Sequence, residues 1–415
     1  MENYSVVIFI LAIVIGLSAL ADKVRIPYPI LLIAAGMTVG FIPALPDVEL
    51  NPEIVFLIFL PPLLYDAAFN IPYNVFKTNI NTISTLSITL VFITASGIAV
   101  IAHYLIPQMT WPLSFVLGAI LSATDAVAAM SITKGLGLSK NTNTILEGES
   151  LVNDASALVA YRFAVAAVTG TAFIWWKASL QFALLMGGGF LVGFILGQVL
   201  AFILRGVQKN YLVTISFMML MPFVTYLVAE DLHVSGVIAV VVMGLSIAHY
   251  SNKVFPDALK QQSKSIWEMI IFLLNGLIFI LIGLQFPFVI KGIETHQVWP
   301  YIGYGFIITI VALVLRMARV FLQRINLQRG FAKGKGKIAE GALLDIKNSL
   351  IISWSGMRGI VSLAIAIGLP VTLSDGSPFP ERNAIIFISV VVVLFTLIGQ
   401  GLTLPWIVKR LGNTK

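Results

Sequence analysis

The chain has 415 residues, of which 58% are hydrophobic and only 11% charged, and its mean hydropathy is +0.96. No water-soluble domain could keep so much apolar surface out of water, so the composition excludes a soluble enzyme or binding protein and predicts a polytopic membrane protein. Cysteine is absent, which excludes disulfides, thiolate metal sites and cysteine nucleophiles.

Apolar runs of about 20 residues, long enough to cross about 30 Å of hydrocarbon, recur along the whole chain. They predict an all-α fold of about 13 transmembrane helices. The first run is followed by a charged flank at residues 22–25 and by no small-residue cleavage site, so we expect a retained helix and not a signal peptide. The segments, numbered 1 to 13, have approximate cores at 4–21, 28–44, 53–72, 80–105, 111–133, 143–170, 178–204, 211–229, 234–250, 266–290, 299–322, 347–370 and 384–408.

Lysines and arginines lie mostly on one side of these segments. The connections after odd-numbered segments hold 21 of the 26, Arg316 among them, whereas the opposite side holds 3. Because basic connections stay in the cytoplasm, we predict a multi-pass protein of the cell membrane with its amino terminus outside and its carboxyl terminus cytoplasmic. The net charge of +7 then requires no nucleic acid. The densest basic run, 328–337, is predicted to contact anionic lipid headgroups, with a regulatory or lipid-specific site as the alternative.

The segments can be divided into two six-helix units of opposite orientation, the inverted-repeat arrangement of many secondary transporters. In this register segment 5 pairs with segment 12, and segment 3, with Pro61 and Pro62, pairs with segment 10, with Asn275 and Gly276. Such residues in matched positions predict interrupted helices near the midplane, although no glycine or proline beside Asp125 predicts a break in segment 5. The predicted parts are a first repeat (1–170), a linker helix (178–204), a second repeat (211–409) and a short cytoplasmic tail (410–415).

Two carboxylates, Asp125 and Asp154, lie within long apolar stretches. An ionised carboxylate in the middle of a bilayer costs at least about 2.5 kcal/mol, so both are expected to face a wet cavity or to bind a partner. Ser150 lies four residues before Asp154 on the same helical face, and hard cations prefer several oxygen ligands. The pattern therefore predicts an ion path; a carboxylate pair buried only to bridge helices is the alternative.

Six short motifs occur in order along almost the whole chain. Together they resemble the monovalent cation/proton antiporter superfamily, in its branch of NhaP-type and NHE-type sodium/proton exchangers. The motifs are FLPPLLYDAA (59–68), ATDAVA (123–128), GESLVND (148–154), VSGVIAV (234–240), WSGMRG (354–359) and GQGLTLP (399–405).

The resemblance implies a secondary antiporter, not an enzyme, that exchanges Na+ or Li+ for H+ without a cofactor. Cation and proton would compete at Asp154, and Asn153, in place of a second acid, implies electroneutral one-for-one exchange. The further roles that the resemblance implies are cation ligands at Asp125, Thr124 and Ser150, ordering of this cluster by Asn153, a structural bridge between Glu149 and Arg358, and an inner ion funnel at Asp66. Direct cation coordination by Glu149 is the alternative to the bridge.

The resemblance also implies a homodimer, in which a mobile core with segments 5, 6, 12 and 13 moves against a scaffold. Its partners would be Na+, H+ and membrane lipid, with no nucleic acid. Glycines spaced along segment 7, at 187–189, 193 and 197, predict close helix packing without locating the dimer interface. A K+/H+ antiporter of the same fold and, from another class, a transport-inactive sensor or cation channel stay open as alternatives.

Overall fold

The computed structural model describes residues 10–20, 28–41, 52–133, 136–170, 175–333, 339–373 and 375–412. This part of the chain is helical and contains no β-strand, only one isolated bridge between Thr372 and Pro378. The predicted flank 22–25, residues 334–337 of the basic run and the last three residues of the tail lie outside the described residues.

The described helices follow the predicted segments. Eight of them are long and apolar enough to cross a membrane, and shorter apolar helices occupy segments 1, 2, 3 and 5. Two helices of 9 and 8 residues occupy segment 12. In chain order they are α1 (Ile10–Leu20), α2 (Tyr28–Gly40), α3 (Pro52–Asn70), α4 (Tyr73–Thr78), α5 (Ile80–Leu105), α6 (Trp111–Ile120), α7 (Ala126–Thr133), α8 (Lys140–Val168), α9 (Trp175–Val207), α10 (Tyr211–Asp231), α11 (Gly236–Val254), α12 (Asp257–Lys291), α13 (Thr295–Ala332), α14 (Ile346–Trp354), α15 (Ile360–Ile367) and α16 (Arg382–Leu411).

Segments 5 and 12 are both interrupted. Segment 5 forms α6 and α7 with a break at residues 121–125, and segment 12 forms α14 and α15 with a break at 355–359. The interruptions expected in segments 3 and 10 are wrong, because α3 continues through its two prolines and α12 continues through Asn275 and Gly276. Membrane helices tolerate such residues where neighbouring groups cover the freed backbone.

The chain forms two compact units. The first unit comprises residues 1–50, 78–171 and 275–415, and the second comprises residues 51–77 and 172–274. The first therefore contains segments 5, 6, 12 and 13. This grouping does not test the predicted repeat boundaries, which stay a prediction.

In the second unit, α9 and α11 pack closely along the glycines of segment 7. A side chain at Gly193 would collide with the backbone of Ala239, and one at Gly189 would meet the Ser235 carbonyl oxygen at 2.6 Å. Small residues permit such close approach of two membrane helices. Close packing, as predicted, therefore accounts for this stripe.

Gly193→Ala should destabilise the protein by about 1–3 kcal/mol, because the added methyl group overlaps the backbone of α11. Gly187→Ala is the matched control on the same helix, since a side chain at Gly187 would have no described atom within 4 Å. Thermal unfolding of both variants in detergent checks this prediction. Equal melting temperatures for the two variants would contradict the tight contact.

Candidate ion site at two crossing interrupted helices

The two helix breaks in the first unit cross, and hydrogen bonds connect them. The backbone amide of Asp125 donates to the carbonyl oxygen of Met357 at 2.8 Å. The Ser362 hydroxyl donates to the carbonyl oxygen of Ala123 at 3.4 Å. Backbone groups freed by one break are thus satisfied by residues of the other, which is why segment 5 can open without a glycine or proline of its own.

Asp125 lies where two half-helices begin. Its Oδ1 accepts from the backbone amide of Ala128 at 3.2 Å, as the N-cap of α7, and its Oδ2 accepts from the amide of Ile360, the first residue of α15, at 3.4 Å. A side chain at Gly359 would collide with this carboxylate, so only glycine allows the approach. Two positive helix ends therefore stabilise the negative charge of Asp125.

Arg358 lies where the other two half-helices end. It is 1% exposed, and its guanidinium donates to the carbonyl oxygens of Leu121 at 3.0 Å and Gly356 at 2.5 Å. These carbonyls follow α6 and α14, at the negative ends of the helix dipoles. The crossing thus places a cation at two carboxyl-terminal helix ends and an anion at two amino-terminal ones.

The partner of Glu149 is Arg316. Two guanidinium nitrogens of Arg316 donate to the two carboxylate oxygens of Glu149, Nη2 to Oε2 at 2.8 Å, and the third donates to the Ile352 carbonyl oxygen at 3.1 Å. The predicted bridge between Glu149 and Arg358 is wrong, because Arg358 bonds to backbone carbonyls instead. The buried acid is neutralised by α13 and not by segment 12.

Arg316 was also misplaced by the charge count, which assigned it to a cytoplasmic connection. It is 1% exposed and lies inside α13. Its position four residues after Ala312 and four before Val320 puts it on the buried stripe of that helix. A charged residue in register with a buried apolar stripe is the signal that could have identified it. Gly356 leaves room for it, since a side chain there would collide with the guanidinium group.

A chain of hydrogen bonds runs from this ion pair to Asn153. The Thr124 hydroxyl donates to Glu149 Oε1 at 3.1 Å and accepts from Asn153 Nδ2 at 2.5 Å. Because the hydroxyl proton is used on Glu149, Asn153 must present its amide nitrogen to Thr124, which fixes the orientation of its side chain. Ser150 belongs to the same cluster, since its hydroxyl donates to the Thr124 carbonyl oxygen at 3.1 Å.

Asp154 lies at the end of this cluster, directly after Asn153 on α8. It is 6% exposed. Its Oδ1 and the side-chain oxygen of Asn153 are both buried, and neither has a hydrogen-bond partner among the residues that the structure describes. Buried oxygens without donors are uncommon in native proteins. Oxygen atoms of this type are the ligands that hard monovalent cations take, so the residues present fit a transported cation or a proton on Asp154.

The remaining predicted residue, Asp66, belongs to the second unit. Its carboxylate oxygen Oδ1 accepts from the side-chain amide of Asn70 at 2.8 Å, one turn further along α3. The predicted ion funnel at Asp66 stays a prediction, as do the ligand roles of Asp125, Thr124 and Ser150.

Comparison with known families decides what kind of protein this is. The family described as "Sodium/hydrogen exchanger, transmembrane" matches residues 8–410. The chain belongs to this family. It is therefore a multi-pass membrane protein of a transporter family and not an enzyme, as predicted.

Relatives of this sodium/hydrogen exchanger family member come from several bacteria. A protein of Bacillus pumilus named as a sodium, potassium, lithium and rubidium/H(+) antiporter is 36% identical over 99% of this chain and 62% of its own length. The protein of the same name in Bacillus subtilis is 34% identical over 96% of this chain and 60% of its own length. The Na(+)/H(+) antiporter NhaH of Halobacillus aidingensis is 32% identical over 98% and 97% of the two chains. The chain thus spans about six tenths of the two Bacillus proteins.

The fold has a match among solved structures. The sodium proton antiporter MjNhaP1 from Methanocaldococcus jannaschii superimposes over 100% of both chains with a TM-score of 0.73 at 20% sequence identity. This similarity confirms the predicted NhaP-like fold.

Proposed function

We propose that this protein is a secondary active antiporter that exchanges Na+ or Li+ for H+ across the cell membrane. Alternating access would bring Asp154 to each side in turn, carrying either a cation or a proton. The proposal includes the predicted orientation, with the carboxyl terminus in the cytoplasm, a homodimeric assembly, and no cofactor beyond the transported ions.

One observation carries the proposal. Asp154 is buried beside the crossing of two interrupted helices, and across the described ranges no group donates a hydrogen bond to its Oδ1 or to the adjacent Asn153 Oδ1. A carboxylate used only to bridge helices would have its oxygens bonded to the helix it bridges. Asp154 Oδ1 and Asn153 Oδ1 are instead available to bind an ion.

The other acids near Asp154 already have partners, which supports one-for-one exchange. Glu149 is paired with Arg316, and Asp125 is bonded to two helix amino termini. Neither group has to lose its charge or its contacts during a cycle. A single exchangeable site that holds one Na+ or one H+ moves no net charge.

Two alternatives remain relevant. The Bacillus relatives are named for potassium and rubidium as well as sodium and lithium, which favours testing a K+/H+ antiporter of the same fold. A transport-inactive sensor or a cation channel, the alternative from another class, would use the same acids only for gating.

Proteoliposomes that contain the purified protein should dissipate an imposed pH gradient when Na+ or Li+ is added. The rate should not depend on membrane potential, and Na+ pulses on a solid-supported membrane at symmetric pH should give no sustained current. Addition of K+ decides between the two cation preferences. Ion flux that follows voltage without proton countertransport would indicate a channel, and a transport current that scales with turnover would remove the electroneutral assignment.

A further inference from the structure

The motif at residues 399–405 takes no part in the site described above, yet it contains an unusual buried group. Gln400 is 4% exposed, and neither its side-chain oxygen nor its side-chain nitrogen has a hydrogen-bond partner in the part of the chain that the structure describes. An amide can accept at its oxygen and donate twice from its nitrogen. A buried amide without such partners requires an explanation, and an ion or a water molecule that it contacts is one.

Gln400 closes a π-helical turn, Thr396–Gln400, within α16. Single π turns occur frequently at functional sites. Thr396 lies four residues before Gln400, and its hydroxyl accepts from the backbone amide of Arg358 at 3.1 Å. The turn that carries Gln400 is therefore bonded directly to the break between α14 and α15.

The next residue, Gly401, shows which parts of the structure lie near this turn. A side chain at Gly401 would lie 3.1 Å from Ile132 Cδ1 and 3.9 Å from Met357 Sδ. Ile132 lies in the last turn of α7, before a connection predicted to be cytoplasmic, and Met357 accepts the backbone hydrogen bond of Asp125. The residue after Gln400 therefore packs against both the last turn of α7 and the break that contains Met357.

We propose that the side chain of Gln400 binds a partly hydrated monovalent cation on its way between the cytoplasm and Asp154. The amide oxygen is a hard ligand of the kind that alkali cations take, and the amide N–H groups can hold the hydration water. This inference rests on the proposed monovalent cation transport and adds a second ion contact to it.

Gln400→Met tests the proposal, because methionine keeps the length and volume of the side chain but removes the amide. This amide has no hydrogen bond to a described residue that the substitution could remove, so the variant should fold with an equal or higher melting temperature. Its apparent KM for Na+ should rise about tenfold, which is the value of one lost polar contact, while the maximal rate changes less than about twofold. The shift in melting temperature that Na+ produces should shrink accordingly.

Ser389→Ala is the matched control. Ser389 is fully buried on the same helix, and its hydroxyl also has no hydrogen-bond partner among the described residues, but it lies about 16 Å along the helix axis from Gln400 and outside the π-helical turn. This variant should gain stability without any change in KM. Gln400→Asn, which keeps the amide on a shorter stem, should have a KM between those of wild type and Gln400→Met.

An unchanged KM and an unchanged Na+-dependent shift in Gln400→Met would overturn the inference, as would an effect confined to the maximal rate. Wild-type protein that exchanges none of the three alkali cations would instead contradict the proposed function. In that case the Na+-dependent thermal shift, compared between wild type and Gln400→Met, still decides whether the amide binds the ion.

Discussion

Asp154→Asn should abolish cation/proton exchange while the protein folds with at least wild-type thermal stability. The amide keeps the volume of the carboxylate but can neither ionise nor release a proton. Stability should not fall, because Oδ1 of Asp154 makes no hydrogen bond within the described residues and a neutral amide is less costly to bury than an ionised carboxylate. Pyranine-monitored exchange in proteoliposomes, together with thermal unfolding in detergent, measures both outcomes.

The same prediction has a pH dependence in the wild-type protein. If a cation and a proton compete for Asp154, protonation of the empty site removes it from cation binding. At pH values where the site is mostly protonated, the apparent Na+ affinity should weaken about tenfold per pH unit, whereas the maximal rate at saturating Na+ changes much less. Activity at fixed Na+ should therefore follow a bell-shaped pH profile.

Asp231→Asn is the matched control for this substitution, because Asp231 is an exposed acid at the end of α10. It should exchange at the wild-type rate. Exchange that survives in Asp154→Asn, or a Na+ affinity that is independent of pH, would exclude Asp154 as the carrier and turn attention to Asp125.

Arg316→Met should destabilise the protein by about 3–5 kcal/mol, because it leaves the carboxylate of Glu149 buried without its counter-ion. Arg316→Lys should recover only part of this loss, since an ammonium group cannot reproduce the paired hydrogen bonds of the guanidinium. Arg319→Met is the matched control one turn along α13, where the side chain is partly exposed and the expected change is under about 1 kcal/mol.

A double-mutant cycle measures whether Glu149 interacts more strongly with Arg316 or with Arg358. Glu149→Gln combined with Arg316→Met removes both charges and should be less destabilising than the sum of the single changes. The coupling energy of Glu149 to Arg316, measured by thermal or denaturant unfolding, should exceed its coupling to Arg358. A larger coupling to Arg358 would restore the bridge that the sequence resemblance implies.

The sequence by itself determined the membrane class and the helical segments of this protein. About 20 apolar residues are required to cross the hydrocarbon region, and the cost of a charge there makes Asp125 and Asp154 conspicuous in any reading of the chain. These effects depend on composition and local order alone. The ordered motifs were sufficient for the family, which the match over residues 8–410 confirms.

Tertiary structure alone decided which residues meet. The break in segment 5 has no local cause, because the groups that satisfy it belong to Met357 and Arg358, more than 200 residues away. The prolines of segment 3, which do have a local effect, were accommodated in a continuous helix. The local sequence therefore predicted a break at the prolines of segment 3 that does not occur, and gave no signal for the break in segment 5 that does.

The partner of Glu149 shows the same limit. Arg316 and Arg358 are both arginines near buried glycines or apolar stretches, and spacing along the chain does not distinguish them. Arg316 pairs with Glu149 because the position of α13 relative to α8 brings the guanidinium within hydrogen-bonding distance of the carboxylate. Arg358 does not, because its guanidinium donates to carbonyl oxygens at two helix ends. A buried charge pairs with the opposite charge that lies nearest to it in space. Only the folded arrangement of the helices determines which charge that is.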